Sequence, residues 1–216
     1  MITFNKNEGI YSSSIIPITH GFGTKEFGDG RNRKSIIKQS HSTNIQIISS
    51  SNNLPIENCD GIITKERQIV LSVITADCVP IIFFDPIKNI IGISHQGWKG
   101  TLKRMPQKMI QTMQKLGSTP SDIYVAIGPA INQCCYQVSK ERAEQFKEIF
   151  EETVVSISNS YSINLLKANN QLLKESGVLK RNIDYFPFCT SCDTEKFWSY
   201  RRDNGIKGEM FSYIRR

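Results

Sequence analysis

Histidine is scarce in this chain: three stand among 216 residues, at positions 20, 41 and 95, which limits imidazole chemistry to one small site. No apolar run approaches the roughly 18 residues of a membrane-spanning helix. The N-terminal stretch MITFNKNEGIYSSS also lacks the positive start and continuous apolar segment of a secretory signal. A cytoplasmic location is therefore expected. With no export signal the six cysteines are expected to stay reduced, free for metal binding or nucleophilic chemistry. Long basic runs are missing too: despite a net charge of +7, lysine and arginine never occur more than two in a row. Scattered pairs read as a solvated surface, so nucleic acid is disfavoured as a partner, while a few cations gathered around a phosphate-bearing substrate stay open.

What is present is a globular composition, 39% apolar and 22% charged, on a length suited to one domain, 1–216. Short β-branched runs predict strands at 15–18, 45–48, 62–64, 69–75, 79–84 and 90–94. The runs at 69–75 and 79–84 are nearly continuous in apolar residues, which predicts a sheet covered on both faces with helices packed outside. Helical patterning covers 101–116, 140–150 and 164–175, and Met105, Met109 and Met113 recur at a core-facing spacing. Pro106 predicts a helix start or a kink. Strand-like pieces follow at 182–186, 197–201 and 210–214. The fold class is mixed α/β or α+β, with mixed β-sheet layers and outer helices.

Of the three histidines and Cys78, the residues His20, His95 and Cys78 lie at the ends of apolar segments beside turns, and His41 sits in KQSHSTN. A thiolate with two neutral imidazoles suits Zn²⁺ and leaves a fourth position for water or substrate. The ligands come from separate segments, and ordinary buried or hydrogen-bonded His and Cys is the competing reading.

Five ordered motifs bear on that choice: QSH at 39–41, TADCVPIIFFDP at 75–86, ISHQGWKGT at 93–101, AIGPAINQCCYQV at 126–138 and CTSCDTEKFWSYRRDNG at 189–205. Together they resemble the YfiH-like family, also called the laccase-domain or multicopper polyphenol oxidase family. The resemblance implies that His41, Cys78 and His95 bind Zn²⁺. It also implies phosphorolysis of adenosine, inosine and methylthioadenosine, and deamination of adenosine, with a purine nucleoside and phosphate as partners. Related members are associated with cell-wall precursor editing. The segment between GFGTK and QSH is shorter here than is usual in the family, which predicts a differently built pocket rim. Ser42 replaces a usual glycine, Gln96 a small residue, and Lys25 and Lys99 usual arginines.

Within this chemistry Asp77 is the candidate acid or base, with a turn-capping role as its competitor. Lys25, Lys99 and Arg201 are the candidate phosphate cations. Copper oxidation of phenols is disfavoured, because three histidines cannot furnish several copper sites. A cysteine hydrolase or deamidase with Cys78 as nucleophile and His95 as base is the other alternative. Cys189-x-x-Cys192 invites a redox or second-zinc reading, but it opens no clear βαβ unit and Cys134-Cys135 does not complete a usual paired spacing, so buried reduced thiols are the expectation. Phe186, Phe188, Phe197, Trp198 and Tyr200 are expected in the core, with stacking on a purine as their functional alternative.

Overall fold

The computed structural model describes residues 2–33, 36–50, 55–158 and 160–216. In chain order the strands and helices are β1 (Ile2–Asn5), β2 (Ile10–Ser13), β3 (His20–Gly23), β4 (Ile45–Ile48), β5 (Gly61–Thr64), β6 (Leu71–Thr75), β7 (Val79–Asp85), β8 (Ile90–Gln96), α1 (Trp98–Leu102), α2 (Met105–Lys115), β9 (Tyr124–Ile127), β10 (Gln137–Val138), α3 (Lys140–Phe150), β11 (Val154–Ile157), β12 (Ser160–Ile163), α4 (Leu165–Glu175), β13 (Ile183–Tyr185), α5 (Tyr200–Asp203) and β14 (Met210–Ile214).

A six-stranded sheet in the order β13-β9-β7-β8-β5-β4 lies at the centre. The continuous apolar run of β7 reflects its position there. Ile81 and Phe83 face the helices, where Met105, Met109 and Met113 pack, whereas Ile82 and Phe84 face a second core shared with Leu71, Val73 and Phe22. Truncating one of these fully buried methionines to alanine is expected to cost about 2–5 kcal/mol. The second core is closed by a five-stranded antiparallel sheet, β1-β2-β3-β14-β6, and a small sheet β10-β12-β11 completes the mixed α/β architecture. No helix among the described residues is long and apolar enough to cross a membrane.

Several expected elements differ in detail. The piece at 15–18 is a turn and loop rather than a strand, since Pro17 within it has no N–H for a ladder. The helix expected over 101–116 is two: Arg104 adopts φ +60° between α1 and α2, and Pro106 sits in the first turn of α2, where its missing N–H leaves no bond unmade. The strand expected at 197–201 is a loop leading into α5, because Ser199 caps that helix by accepting from the Arg202 N–H.

Of the aromatics, Phe186 and Phe197 are fully buried and pack with Tyr11 and Phe188, as core residues do. Tyr200 differs: it is exposed and lines the main cavity.

Candidate metal centre and its cavity

Three elements converge at the point where the two large sheets exchange the chain. His95 is the sixth residue of β8, Cys78 lies in the turn that carries β6 of one sheet into β7 of the other, and His41 precedes β4. The Nδ1 or Nε2 atoms of the two histidines and the Cys78 Sγ all lie within 4.8 Å of one another. The imidazoles of His41 and His95 meet edge-on with centroids 4.9 Å apart. His20, by contrast, is spent inside the five-stranded sheet. Its Nε2 accepts from the Ser13 N–H at 2.9 Å and its Nδ1 bonds Ile18 O at 2.8 Å, so both ring nitrogens are engaged.

Asp60, which the sequence reading did not single out, organises the set. The carboxylate is fully buried just before β5, with Oδ1 2.8 Å from His95 Nδ1. Its oxygens also accept from the backbone N–H groups of Ser40, His41 and Ser42 and from the Ser42 hydroxyl at 2.6 Å. One anion thereby orients the His95 ring and clamps the His41 loop, a supporting arrangement common around metal-binding imidazoles. An acid directly ahead of the buried run GIIT was its one visible signal. Ser42, noted as a departure from glycine, supplies two of these bonds, and the one from its hydroxyl is beyond a glycine's reach.

The backbone carries strain here. His41 has φ +57° and Asp77 φ +85°, positions that cost about 1–3 kcal/mol for residues with side chains. Gly97 fills the remaining space: a Cβ there would stand 3.0 Å from Cys78 Sγ and 3.3 Å from His41 Nδ1. Electrostatics favour a thiolate. Burial opposes ionisation of Cys78, but His95 and His41 outweigh it and bring the thiol down to about 7. His95 is in turn disfavoured as a cation by burial, yet Cys78 and Asp60 raise it to about 9.

The site opens into a cavity of about 810 Å³, within the size range of small-ligand pockets. A smaller lobe of about 210 Å³ shares His41, Cys78, Trp98 and Tyr136 with it. The segment ahead of QSH does build the rim, through Gly30, Arg31, Arg33 and Ile37.

The candidate cations divide. Arg201 lines the large cavity, donates from Nη1 to Cys135 O at 3.1 Å and lies 5.3 Å from the Tyr136 ring centre. Lys99 is exposed and lines the small lobe. Lys25 is not among the lining residues; its ammonium donates to Thr194 O at 2.7 Å. Asp77 lines both lobes, but its carboxylate is committed to the Thr190 hydroxyl at 2.6 Å, the Ser199 hydroxyl at 3.0 Å and the Arg201 N–H at 2.7 Å.

Arg142 also escaped the sequence reading, because an arginine in the first turn of a polar helix looks like surface. It lies 4.1 Å from the Trp98 ring centre and lines the large cavity. Among the described residues no acceptor meets its buried Nε. The four remaining conspicuous cysteines are not the buried thiols expected: Cys134 and Cys192 are exposed, Cys135 is partly buried, and only Cys189 is buried.

Residues 24–216 match the family described as multi-copper polyphenol oxidoreductase laccase. The chain is 37% identical over 160 residues to purine nucleoside phosphorylase YlmD of Bacillus subtilis (strain 168), covering 72% of this chain and 58% of that relative. It is 32% identical over 192 residues to adenosine deaminase RL5 of an unknown prokaryotic organism, covering 83% and 73%. The crystal structure of the Bacillus licheniformis hypothetical protein YfiH superposes with a TM-score of 0.91 at 27% identity, covering 99% of this chain and 98% of that one. The chain spans less than two thirds of the Bacillus subtilis relative, yet the match from Thr24 to the last residue takes in His41, Cys78 and His95 and the motifs around them: this chain belongs to the multi-copper polyphenol oxidoreductase laccase family.

Proposed function

We propose that this chain is a zinc-dependent purine nucleoside enzyme of the cytoplasm, which phosphorolyses adenosine, inosine and methylthioadenosine and deaminates adenosine. The observation that carries the reading is the convergence of two imidazoles and one thiol on a nucleoside-sized cavity that is also lined by Arg142, whose buried Nε meets no acceptor among the described residues. Relatives named purine nucleoside phosphorylase and adenosine deaminase agree with it.

The donor set fits zinc. One sulfur and two nitrogens make three ligands with a fourth position open, and Asp60 on His95 Nδ1 leaves Nε2 for the ion. Zinc bound there supplies Lewis acidity toward substrate or water at the open position. Copper oxidase chemistry fits less well, since His20 is committed elsewhere and only two histidines remain for ligation.

In phosphorolysis a phosphate oxygen forms a bond to ribose C1′ while the C1′–N9 bond breaks, and the purine leaves with the bonding pair and takes up a proton. Arg142 and Arg201, which line the cavity near Tyr136, hold the phosphate dianion beside C1′. Lys99 adds charge from the small lobe. Burial pushes the Tyr136 phenol up to about 12, so it presents a neutral hydroxyl to the substrate. Asp77 acts as a positioning residue, fixing the Arg201 backbone. In deamination, water oxygen replaces the C6 amino group and ammonia departs.

A second reading has one observation behind it: the lowered Cys78 thiol beside the raised His95 resembles the nucleophile and base of a cysteine hydrolase. One experiment separates the two. Zinc-loaded protein is incubated with adenosine, inosine or methylthioadenosine, with and without phosphate, and products are followed by mass spectrometry. Free base and the sugar 1-phosphate formed only with phosphate, together with loss of turnover on chelation, are the expected result. No product from any of the three nucleosides overturns the nucleoside reading, and full activity in metal-free protein favours the hydrolase.

A further inference from the structure

Away from the cavity mouth, a second cluster of sulfur atoms is assembled by two loops. The first, 129–136, follows β9 and carries Cys134 and Cys135; the second, 188–199, carries Cys189 and Cys192. The loops are fastened through backbone and side chain: Ala130 and Cys189 form a parallel bridge, the Thr190 N–H donates to Ala130 O at 3.1 Å, and the Asn132 side-chain amide donates to Pro187 O at 3.4 Å. The Cys192 N–H closes its own turn onto Cys189 O at 3.1 Å, and the Cys135 N–H closes the other onto Asn132 O at 3.0 Å. All four sulfurs lie within 4.8 Å of one another as a result.

We propose that Cys134, Cys135, Cys189 and Cys192 form a separate structural metal site, which holds one zinc ion through four thiolates. The spacing fits that ion: sulfurs at 2.3 Å from a tetrahedral centre stand about 3.8 Å apart. Here Cys192 Sγ is 3.3 Å from Cys135 Sγ and 3.5 Å from Cys134 Sγ, so the atoms need only small adjustments. One sulfur close to two others, rather than two separate pairs, is the pattern of a shared centre and not of two bridges. Four soft anionic ligands with no open position are a structural zinc set.

The surroundings offset the charge that four thiolates bring. The Asn132 N–H points at Cys189 Sγ at 3.4 Å. Arg201 donates to Cys135 O, and Arg202 donates from Nη1 to Thr190 O at 3.0 Å, which puts two guanidiniums against the loops that carry the sulfurs. Ile131 and Tyr136, on the first loop, line the substrate cavity, so the ion pins that wall. This assignment stands apart from the nucleoside chemistry, and its failure would leave that reading intact.

The test is metal counting on the full chain purified under reducing, anaerobic conditions and titrated with Zn²⁺ alone. Wild type is expected to bind two equivalents. The double variant Cys134→Ser/Cys192→Ser, which alters only exposed sulfurs, should lose one equivalent, and His41→Ala should lose the other. With Co²⁺ as probe, most of the sulfur-to-metal charge-transfer absorption should vanish in the double variant and persist in His41→Ala. In wild type, alkylation mapped by mass spectrometry should reach Cys134 and Cys192 only after chelation, a readout that needs no variant to fold. A single equivalent that the double variant retains would overturn the site. So would equal alkylation of the two exposed thiols with and without zinc, or bridges among these cysteines that form in the presence of zinc.

Discussion

Asp60 Oδ1 lies 2.8 Å from His95 Nδ1, and the same oxygen accepts from the His41 N–H at 3.1 Å, so one buried carboxylate sets the position of both histidines of the converging triad. Asp60→Asn keeps the shape but removes the anion that orients the His95 ring. Zinc affinity at this site is expected to fall about 10–100-fold, as for other supporting carboxylates. Competition against a chromophoric chelator measures it, and an unchanged affinity would mean that the carboxylate serves only the fold.

Gly97→Ala isolates the crowding around the ligands. The backbone there, at φ −84° and ψ −171°, suits any residue, so no conformational penalty accompanies the change. The added methyl presses on Cys78 Sγ and His41 Nδ1. Zinc binding should weaken while the melting temperature of the metal-free protein stays near that of wild type. Equal metal content in both proteins would show that the loops yield.

Cys78→Ser removes the only anionic ligand of the triad and should abolish zinc binding there. His20→Ala should leave it intact, because both nitrogens of that ring are bonded within the five-stranded sheet. Metal analysis of the two variants side by side decides the point: equal zinc loss in both would remove the distinction between ligand and sheet residue.

The same histidine gives a pH signature. Burial holds His20 below its ordinary value of 6.5. The unfolded chain therefore takes up a proton that the folded chain refuses as pH drops below 6.5, and this contribution to stability is lost on the acid side of that point. Thermal unfolding of wild type and His20→Gln across neutral to mildly acid buffers is the check. Wild type should lose more stability over that window than the variant; parallel curves would deny His20 the effect.

Phosphate handling tests the cation assignments. Arg142→Gln removes a partly buried donor and should raise the phosphate KM by about ten- to a hundredfold, corresponding to about 1.5–3 kcal/mol for a charge-assisted contact. Lys99→Ala takes away an exposed charge and should change it only a few-fold. A larger effect at Lys99 than at Arg142 would move the phosphate into the small lobe.

How far these features could be read in advance depended on their range in the chain. The both-faces-buried character of β7 was visible because a local run records local burial, and β14 and α3 were legible for the same reason. β2 and β3 were not, since IYSS and HGFG owe their strand geometry to pairing with each other and with β14, contacts no local pattern encodes. At the candidate site, His41, Cys78 and His95 were singled out through the company of their motifs, and the fold brings the three side chains together. Asp60 and Arg142 were missed because their importance is a matter of what lies across from them: an imidazole 35 residues away in one case, an indole ring and an open cavity in the other.

Cys78 occupies the turn where the chain leaves one sheet for the other, while His41 and His95 stand on either side of Asp60 some fifty residues apart in sequence. No local segment can gather these three atoms; both sheets must be docked and the Asp60 clamp made. Contacts of such separation close late in folding, after the loop entropy between them has been overcome. On the proposed zinc reading, a newly made chain therefore acquires its affinity at this triad only at the end of its folding, and the fraction of molecules that take up zinc there is expected to count the correctly folded ones in a preparation.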